Sequence, residues 1–293
     1  MKILITGANG QLGSELKELT KKFPGWHFLF TDIDELNITD ENEVKNYFQQ
    51  QQPGFVINCA AYTAVDKAEI DAQTAEKVNA LAPKLLAKYS KITGAKLIHI
   101  STDYVFDGES FVPYSEENKV NPKGVYGKTK LQGEINCFEE NPDSLVIRTS
   151  WLYSTFGNNF VKTMLRLAGE RDKLNVVFDQ VGTPTNAADL ADAILSIIQI
   201  SVKYKEKFVP GIYNYSNEGV ASWYDFAKAI FEIAGIKCEV SPVLSDQFPT
   251  PAKRPNYSVL NKSKIKNTFG LVIPYWKESL RICLDKINNT NNG

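Results

Sequence analysis

The chain has 293 residues, of which 43% are hydrophobic and 23% charged, and its formal net charge at pH 7 is −1. This composition is typical of a globular protein, and the balanced charge argues against binding to nucleic acid or an acidic membrane. Two histidines and four widely spaced cysteines make a zinc-like or His-based metal site improbable. The first residues resemble a strand instead of a signal peptide, and every apolar run is shorter than a membrane span. We therefore expect a cytoplasmic protein.

The first half of the chain alternates short apolar runs with helical patterns. This alternation predicts a parallel sheet covered by helices on both faces. The pattern loosens after residue 150. We therefore predict an α/β fold: a doubly wound, Rossmann-like parallel sheet at 1–150, with a smaller, interleaved substrate-binding lobe mainly at 151–293. The predicted strands are Lys2–Thr6, His27–Thr31, Phe55–Asn58, Lys96–Ser101, Ser144–Thr149, Leu174–Val177, Gly211–Asn214 and Lys237–Ser241, and the predicted helices are Gln11–Lys22, Asp40–Gln51, Thr74–Thr93, Pro122–Glu139, Asn158–Leu167, Ala187–Ile200, Ser222–Ala234 and Pro274–Ile287.

A glycine-rich turn joins the first predicted strand to the first predicted helix, with Gly7, Gly10 and Gly13 in a GxxGxxG spacing. In this position glycines allow the backbone to approach a pyrophosphate, which the N-terminus of the helix then stabilises. The alternative is a turn that uses glycine only for packing. The position directly after the first strand favours the phosphate-binding interpretation.

Asp32 ends the second predicted strand, about 20 residues beyond the glycine turn, where dinucleotide-binding folds place an acidic residue. A carboxylate there accepts hydrogen bonds from the adenosine ribose diol and repels a 2′-phosphate. The sequence around it contains no arginine that would bind such a phosphate. This pattern favours NADH as the cofactor and leaves NADPH as an additional one.

The next two strands end in small or hydroxyl-bearing residues. Residues 58–63 (NCAAYT) follow the third strand, and Ser101 and Thr102 end the fourth. Such residues leave room for a ligand at the carboxyl edge of a parallel sheet. Alternatively, Ser and Thr at strand ends only cap turns.

Two Tyr-x-x-x-Lys pairs occur in the chain, Tyr126/Lys130 and Tyr224/Lys228. In a helix this spacing puts both side chains on one face, and a nearby cation lowers the pKa of a phenol so that it can act as an acid or base. The first pair begins a helix just downstream of Thr102 and is the catalytic candidate. The second lies in an amphipathic helix of the second lobe, so we assign it to packing.

These features together resemble the extended short-chain dehydrogenase/reductase family. Longer segments narrow the resemblance to its dTDP-4-dehydrorhamnose reductases: residues 101–108 (STDYVFDG), 125–130 (VYGKTK), 148–151 (RTSW), 179–185 (DQVGTPT) and 254–260 (RPNYSVL). The resemblance covers nearly the whole chain. It implies NAD(P)H-dependent reduction of the C4 ketone of dTDP-4-dehydro-L-rhamnose, a dTDP-linked 4-keto-6-deoxy sugar, to dTDP-L-rhamnose.

The resemblance also implies roles for individual residues. Tyr126 would donate a proton to the oxygen of the C4 ketone, and Lys130 would adjust the acidity of Tyr126. Thr102 would donate a second hydrogen bond to the same ketone oxygen. Relatives usually have Asp where this chain has Asn37, whose amide oxygen we expect to accept from the adenine amino group. Substrate contacts are implied for Thr102, Asp103, Trp151, Gln180 and Arg254, and cofactor contacts for Gly7, Gly10, Gln11, Leu12, Gly13, Asp32, Asn37, Ile38, Ala60, Ala61, Tyr62, Thr63, Asn79, Ser101, Tyr126 and Lys130.

Several alternatives stay open. Another nucleotide-sugar 4-ketoreductase or an epimerase would use the same Tyr, Lys and Thr residues. A non-catalytic regulatory subunit of the methionine adenosyltransferase beta type shares the architecture, although the intact Tyr126, Lys130 and Thr102 disfavour it. Some relatives form metal-assisted dimers, which leaves a homodimer open. The acidic metal ligands of those relatives have no match in this C-terminal region, so we expect no metal.

Overall fold

A computed structural model of the protein describes residues 1–291, so the last two residues of the predicted second lobe lie outside it. Its strands are Lys2–Thr6 (β1), His27–Thr31 (β2), Phe55–Asn58 (β3), Lys96–Thr102 (β4), Leu145–Thr149 (β5), Leu152–Tyr153 (β6), Lys173–Val177 (β7), Val181–Gly182 (β8), Thr185–Asn186 (β9), Gly211–Asn214 (β10), Ala221–Ser222 (β11) and Glu239–Val243 (β12). Its α-helices are Gln11–Leu19 (α1), Glu41–Gln51 (α2), Val65–Ala68 (α3), Ala72–Glu76 (α4), Ala82–Thr93 (α5), Val125–Glu140 (α6), Phe160–Glu170 (α7), Ala187–Lys203 (α8), Trp223–Ala234 (α9), Ser263–Phe269 (α10) and Trp276–Asn291 (α11).

A six-stranded sheet in the order β10-β5-β4-β3-β1-β2 forms the centre of the molecule, and every pairing within it is parallel. Every residue of β3 and β5 is buried, as expected for strands covered on both faces. The chain leaves β1 toward β2 and then crosses to β3 on the other side. In open α/β sheets, ligands bind at such a reversal of strand order. The predicted doubly wound parallel sheet is confirmed.

Helices cover both faces of this sheet. On one face, apolar residues of α1, α8 and α10 pack against β1, β3 and β5. On the other face, α2, α5 and α6 contribute to a second core. Helix α8 and strand β10 lie in the half of the chain that we predicted to form mainly the second lobe. Helix α8 joins the sheet layers because its Ala, Ile and Leu side chains pack against them, and β10 joins because it pairs with β5.

A separate apolar cluster forms the second lobe. It joins α7, α9 and α11 to the parallel pair β7 and β12, with Phe226 and Leu280 fully buried at its centre. The division near residue 150 stays a prediction, with α8 and β10 returning to the sheet. Within residues 1–291, none of the helices has the length and hydrophobicity needed to cross a bilayer.

Candidate active site

A cavity of about 970 Å³ lies at the carboxyl ends of β1, β3, β4 and β5. It extends from Asp32, just after β2, to Trp223 at the start of α9. Its lining therefore combines the sheet domain with the second lobe. The predicted site residues that line it are Gly7, Gly10, Gln11, Leu12, Asp32, Asn37, Ile38, Ala60, Ala61, Thr63, Ser101, Thr102, Asp103, Tyr126, Lys130 and Trp151.

The glycine turn after β1 forms one wall of the cavity. Gly7 has a φ of 65°, and a Cβ at this position would lie 2.7 Å from the backbone of Ala60. A larger residue would therefore clash as well as being strained. The N–H of Gly10 donates to the Gly7 carbonyl at 3.1 Å, and Gly10 begins α1 without a capping side chain. The first N–H groups of α1 are consequently available to an anion.

Gly13 lies behind this wall instead of in it. A Cβ on Gly13 would lie 2.5 Å from the carbonyl oxygen of Gly7. The missing side chain lets α1 pack against the turn. Of the three predicted cofactor-binding glycines, Gly13 thus shapes the site without lining the cavity.

Asp32 and Asn37 line the cavity beyond the glycine turn. The Asp32 carboxylate accepts from the backbone N–H groups of Asn9 at 3.0 Å and Ile33 at 2.9 Å, which fixes its orientation. The side-chain oxygen of Asn37 accepts from the backbone N–H of Thr39 at 3.1 Å and from its hydroxyl at 2.8 Å. That oxygen is already paired inside the protein, which differs from our expectation that it binds adenine.

Tyr126, Lys130 and Thr102 meet at the opposite end of the cavity. Tyr126 and Lys130 lie in the first two turns of α6, and Thr102 is the last residue of β4. The Thr102 hydroxyl lies beside the Tyr126 hydroxyl and donates to Oδ1 of Asp103 at 2.9 Å. The Nζ of Lys130 donates to the carbonyl of Ile100 at 2.6 Å. The predicted catalytic residues are therefore grouped on two adjoining elements.

Burial determines the protonation of both α6 side chains. It raises the pKa of Tyr126 to about 12 and lowers the pKa of Lys130 to about 8. The expectation that Lys130 lowers the pKa of Tyr126 below its ordinary value is thus wrong for this structure. Desolvation of the phenolate dominates, and the ammonium group is bonded to Ile100. At pH 7 Tyr126 holds its proton and Lys130 is mostly charged.

Two stacked tryptophans form an aromatic wall of the cavity. The rings of Trp151 and Trp223 are parallel within 8°, with centroids 3.6 Å apart. Trp151 has a φ of 47°, and it is one of two non-glycine residues in 1–291 with a positive φ. Such strain persists only where the surrounding structure enforces it, often at functional sites. Trp223 was missed because, in the sequence, it belongs to the amphipathic pattern of a packing helix.

The chain matches the RmlD substrate binding domain family over residues 1–289. It belongs to this family. It is 40% identical over 285 residues to dTDP-4-dehydrorhamnose reductase of Sinorhizobium fredii, with 96% of both chains covered. A crystal structure of dTDP-4-dehydrorhamnose reductase from Clostridium acetobutylicum has 46% identity and a TM-score of 0.93, covering 98% of this chain and 100% of that one. The Bacillus anthracis reductase, solved in complex with NADP, has 39% identity and a TM-score of 0.92, covering 97% and 99%.

Tyr62 and Asn79, which the family resemblance places at the cofactor, do not contribute to the cavity lining. Asn79 lies in a π-helical turn, Lys77–Leu81, between α4 and α5. Its side chain accepts from the N–H of Tyr62 at 2.9 Å and donates to the carbonyl of Tyr62 at 3.1 Å. Asn79 also donates to the hydroxyl of Thr129 at 3.2 Å. The geometry makes Asn79 a support for the loop after β3.

Gln180 and Arg254, two predicted substrate contacts, also lie outside the lining of this cavity. The side chain of Gln180 donates to the hydroxyl of Ser245 at 2.9 Å. Arg254 forms a bidentate ion pair with Asp66, at 3.1 and 2.8 Å, and lines a neighbouring cavity of about 120 Å³. Their proposed contacts with the nucleotide part of a substrate stay predictions.

The second Tyr/Lys pair is remote from the chemistry. Tyr224 lines a shallow depression beside Phe178 and Pro242, separate from the main cavity, and Lys228 is exposed on α9. Among residues 1–291, no three His, Cys, Asp or Glu side chains are grouped in a way that could hold a metal ion. The side chains that line the main cavity include hydroxyls, the Lys130 ammonium group, the carboxylates of Asp32 and Asp103, and aromatic rings.

Proposed function

We propose that this protein reduces the C4 ketone of dTDP-4-dehydro-L-rhamnose to dTDP-L-rhamnose, in dTDP-rhamnose biosynthesis, with a reduced nicotinamide cofactor. The observation that carries the proposal is the meeting of the Tyr126 and Thr102 hydroxyls in a cavity whose other end is the glycine turn. Membership in a family whose relatives are named for this reaction supports it.

A nicotinamide dinucleotide suits the residues at the glycine-turn end. The close approach at Gly7 and the uncapped start of α1 suit a pyrophosphate. When bound, the cofactor supplies the hydride that is added to the ketone carbon. We further propose that NADH is preferred over NADPH, because the Asp32 carboxylate would repel a 2′-phosphate. In support, Lys130 is the only basic residue among the described residues that line the cavity, and it lies at the other end.

The protein residues manage the charge that develops on the ketone oxygen. As the ketone carbon gains a hydride, Tyr126 donates its proton to the oxygen, which becomes the C4 hydroxyl and leaves a phenolate. The Thr102 hydroxyl can rotate from Asp103 and donate to the same oxygen. The charged Lys130 stabilises the phenolate until a proton is returned from water. The Trp151 and Trp223 wall limits where the sugar can lie.

A turnover assay tests this proposal. The purified protein is given the dTDP-linked 4-keto sugar with NADH or NADPH, and the product is identified by NMR. We expect one cofactor to be oxidised for each sugar reduced, dTDP-L-rhamnose as the product, and a higher kcat/KM with NADH. A higher value with NADPH would contradict only the cofactor preference.

The same assay separates the other functions. An epimerase would convert the sugar without net oxidation of the cofactor. A regulatory subunit would not turn over the ketosugar and would co-purify with a synthetase. Reduction of a different 4-keto sugar with much higher kcat/KM would indicate another ketoreductase. A cytoplasmic location and a homodimer stay predictions that this assay does not address.

A further inference from the structure

One face of α6 contacts the end of β4 at three successive levels. Tyr126, Lys130 and Glu134 are spaced four residues apart, so their side chains lie on one side of the helix. Tyr126 lies beside Thr102, and the Nζ of Lys130 donates to the Ile100 carbonyl. At the third level, the hydroxyl of Ser101 donates to Oε1 of Glu134 at 2.5 Å. Glu134 thus extends the catalytic face of the helix by one turn.

Glu134 is joined to an arginine from the neighbouring strand. Arg148, on β5, donates through Nε at 2.9 Å to Oε1 and through Nη2 at 2.7 Å to Oε2 of Glu134. The side chains of Arg148 and Glu134 are 3% and 2% exposed. The guanidinium carbon also lies 5.0 Å from the centre of the Phe106 ring. The pair is therefore held rigidly beneath the catalytic cluster.

Stability alone is a weak reason for this arrangement. Burying two ions has a large desolvation cost, and apolar residues of similar size often stabilise a core equally well or better. A fixed charge is useful where it controls another charge nearby. The next titratable side chain on this face of α6 is Lys130, whose own charge is opposed by burial.

The groups that face Lys130 come from three elements. Glu134 and Cys137 lie on α6, Cys59 follows β3, and His99 is on β4. Burial raises the pKa of both thiols and lowers the pKa of His99, so these three groups are neutral at pH 7. Among these groups, Glu134 is therefore the charged one. Arg148 balances the charge of Glu134 and so limits how strongly it attracts the ammonium group.

We infer that Glu134 and Arg148 form a positioning pair that sets the pH range over which the Lys130 ammonium stays charged and keeps α6 aligned with the end of β4. Neither residue lines the cavity, so both act through Lys130 and Ser101. The inference rests on the proposed function, because Lys130 has a role only if ketone reduction occurs in this cavity. A structural pair would affect folding alone, whereas a positioning pair also sets the pH range of activity.

Removing the negative charge of Glu134 and removing the positive charge of Arg148 should shift the pH dependence of kcat/KM in opposite directions. Glu134→Gln removes the carboxylate that favours the Lys130 ammonium, so the fall in kcat/KM at high pH should begin about 1 pH unit lower than in the wild type. Arg148→Met leaves the carboxylate free to attract Lys130, so the fall should begin at higher pH. Arg148→Lys keeps the charge and is the matched control, expected to retain the wild-type profile. Ser101→Ala removes one hydrogen bond and should have the smallest effect.

Two measurements make the outcome decisive. Thermal unfolding shows which variants fold, and ¹³C NMR of Cε-labelled lysine, with Lys130→Met identifying the resonance, follows the titration of Lys130 directly. Opposite displacements in Glu134→Gln and Arg148→Met support the inference. If the Lys130 titration shifts in the same direction in both folded variants, or does not shift in either, the inference is overturned. If Glu134→Gln does not fold, an upward displacement in Arg148→Met supports the inference and an unchanged profile overturns it.

The proposed function and the inference can fail separately. A wild-type protein that does not reduce the ketosugar would contradict the proposed function. In that case the NMR titration in the variants still shows whether the pair controls the charge of Lys130. Normal reduction by the wild type with unmoved titrations would contradict only the inference.

Discussion

Helices α6 and α9 both carry a Tyr-x-x-x-Lys pair near their N-terminus, yet only one pair reaches the cavity. Lys130 is 1% exposed beside the end of β4, whereas Lys228 is exposed to solvent. Helix α9 begins with a capping box of Ser222 and Asp225 and packs Phe226 into the second lobe. Helix α6 instead has Gly124 as its N-cap residue, and the N–H of Val125 donates to the Glu69 carboxylate at 2.8 Å.

The comparison shows that spacing alone places two groups on one face but does not choose what that face contacts. The catalytic potential of Tyr126 and Lys130 comes from the carboxyl end of β4, which supplies Ile100 and Thr102 as partners. In the second pair, Tyr224 packs against the second lobe and Lys228 is exposed to solvent. Three pairs of matched variants test this difference between the two helices.

Replacing the tyrosines should separate the two helices most clearly. Tyr126→Phe removes the proton donor and should lower kcat by about 10²- to 10⁴-fold. Binding of NADH, measured by fluorescence, should be unchanged because the ring remains. Tyr224→Phe is the control and should leave kcat unchanged. Near-normal turnover by Tyr126→Phe would show that another group donates the proton.

Replacing the lysines should give the next largest difference. Lys130→Met removes the buried cation and should lower kcat/KM by about 10²-fold, as for loss of one preorganised electrostatic contact. Lys228→Met should match the wild type. In the wild type, kcat/KM should fall as pH rises through about 8, because Lys130 then loses its charge. A profile that is flat from pH 7 to 9 would contradict this assignment.

The smallest effect concerns adjacent residues of α9. Trp223 lines the cavity and stacks on Trp151, whereas Tyr224 does not line it. Trp223→Ala removes the ring that fixes Trp151 in the cavity wall, a pair interaction of about 0.5–1.5 kcal/mol, so the KM for the sugar should rise by no more than about 12-fold. Tyr224→Ala should leave KM unchanged. Equal KM values in both variants would show that α9 contributes packing alone.

Much of the fold could be predicted from the sequence because its signals are local. Strands β1, β2, β3 and β10 have the predicted bounds, since their apolar runs are bordered by polar or turn-forming residues. The start of helix α8 at Ala187 was also predicted. The packing of α8 against the central sheet was not predicted. The hydrophobic periodicity of a helix shows which face is apolar but does not show which part of the protein covers that face. The short helices α3 and α10 were not predicted as separate elements.

The site residues also divide into those that have a local sequence signal and those that have none. Gly7, Asp32 and Thr102 were found because each directly follows or ends a predicted strand, and parallel strands end at a common edge. Asn79, Gln180 and Arg254 were placed by resemblance alone, and in the structure they bond to Tyr62, Ser245 and Asp66 outside the cavity lining. Trp223 had no local signal at all.

Local sequence signals predicted the parallel sheet, the glycine turn and the Tyr126/Lys130 pair that follows Thr102 along the chain. These features depend on residues close together along the chain. The tertiary structure alone shows that burial raises the pKa of Tyr126 and lowers the pKa of Lys130, and that Arg148 pairs with Glu134 one turn further along α6. Desolvation and ion pairing depend on what packs around a group, and that is fixed by contacts between distant segments.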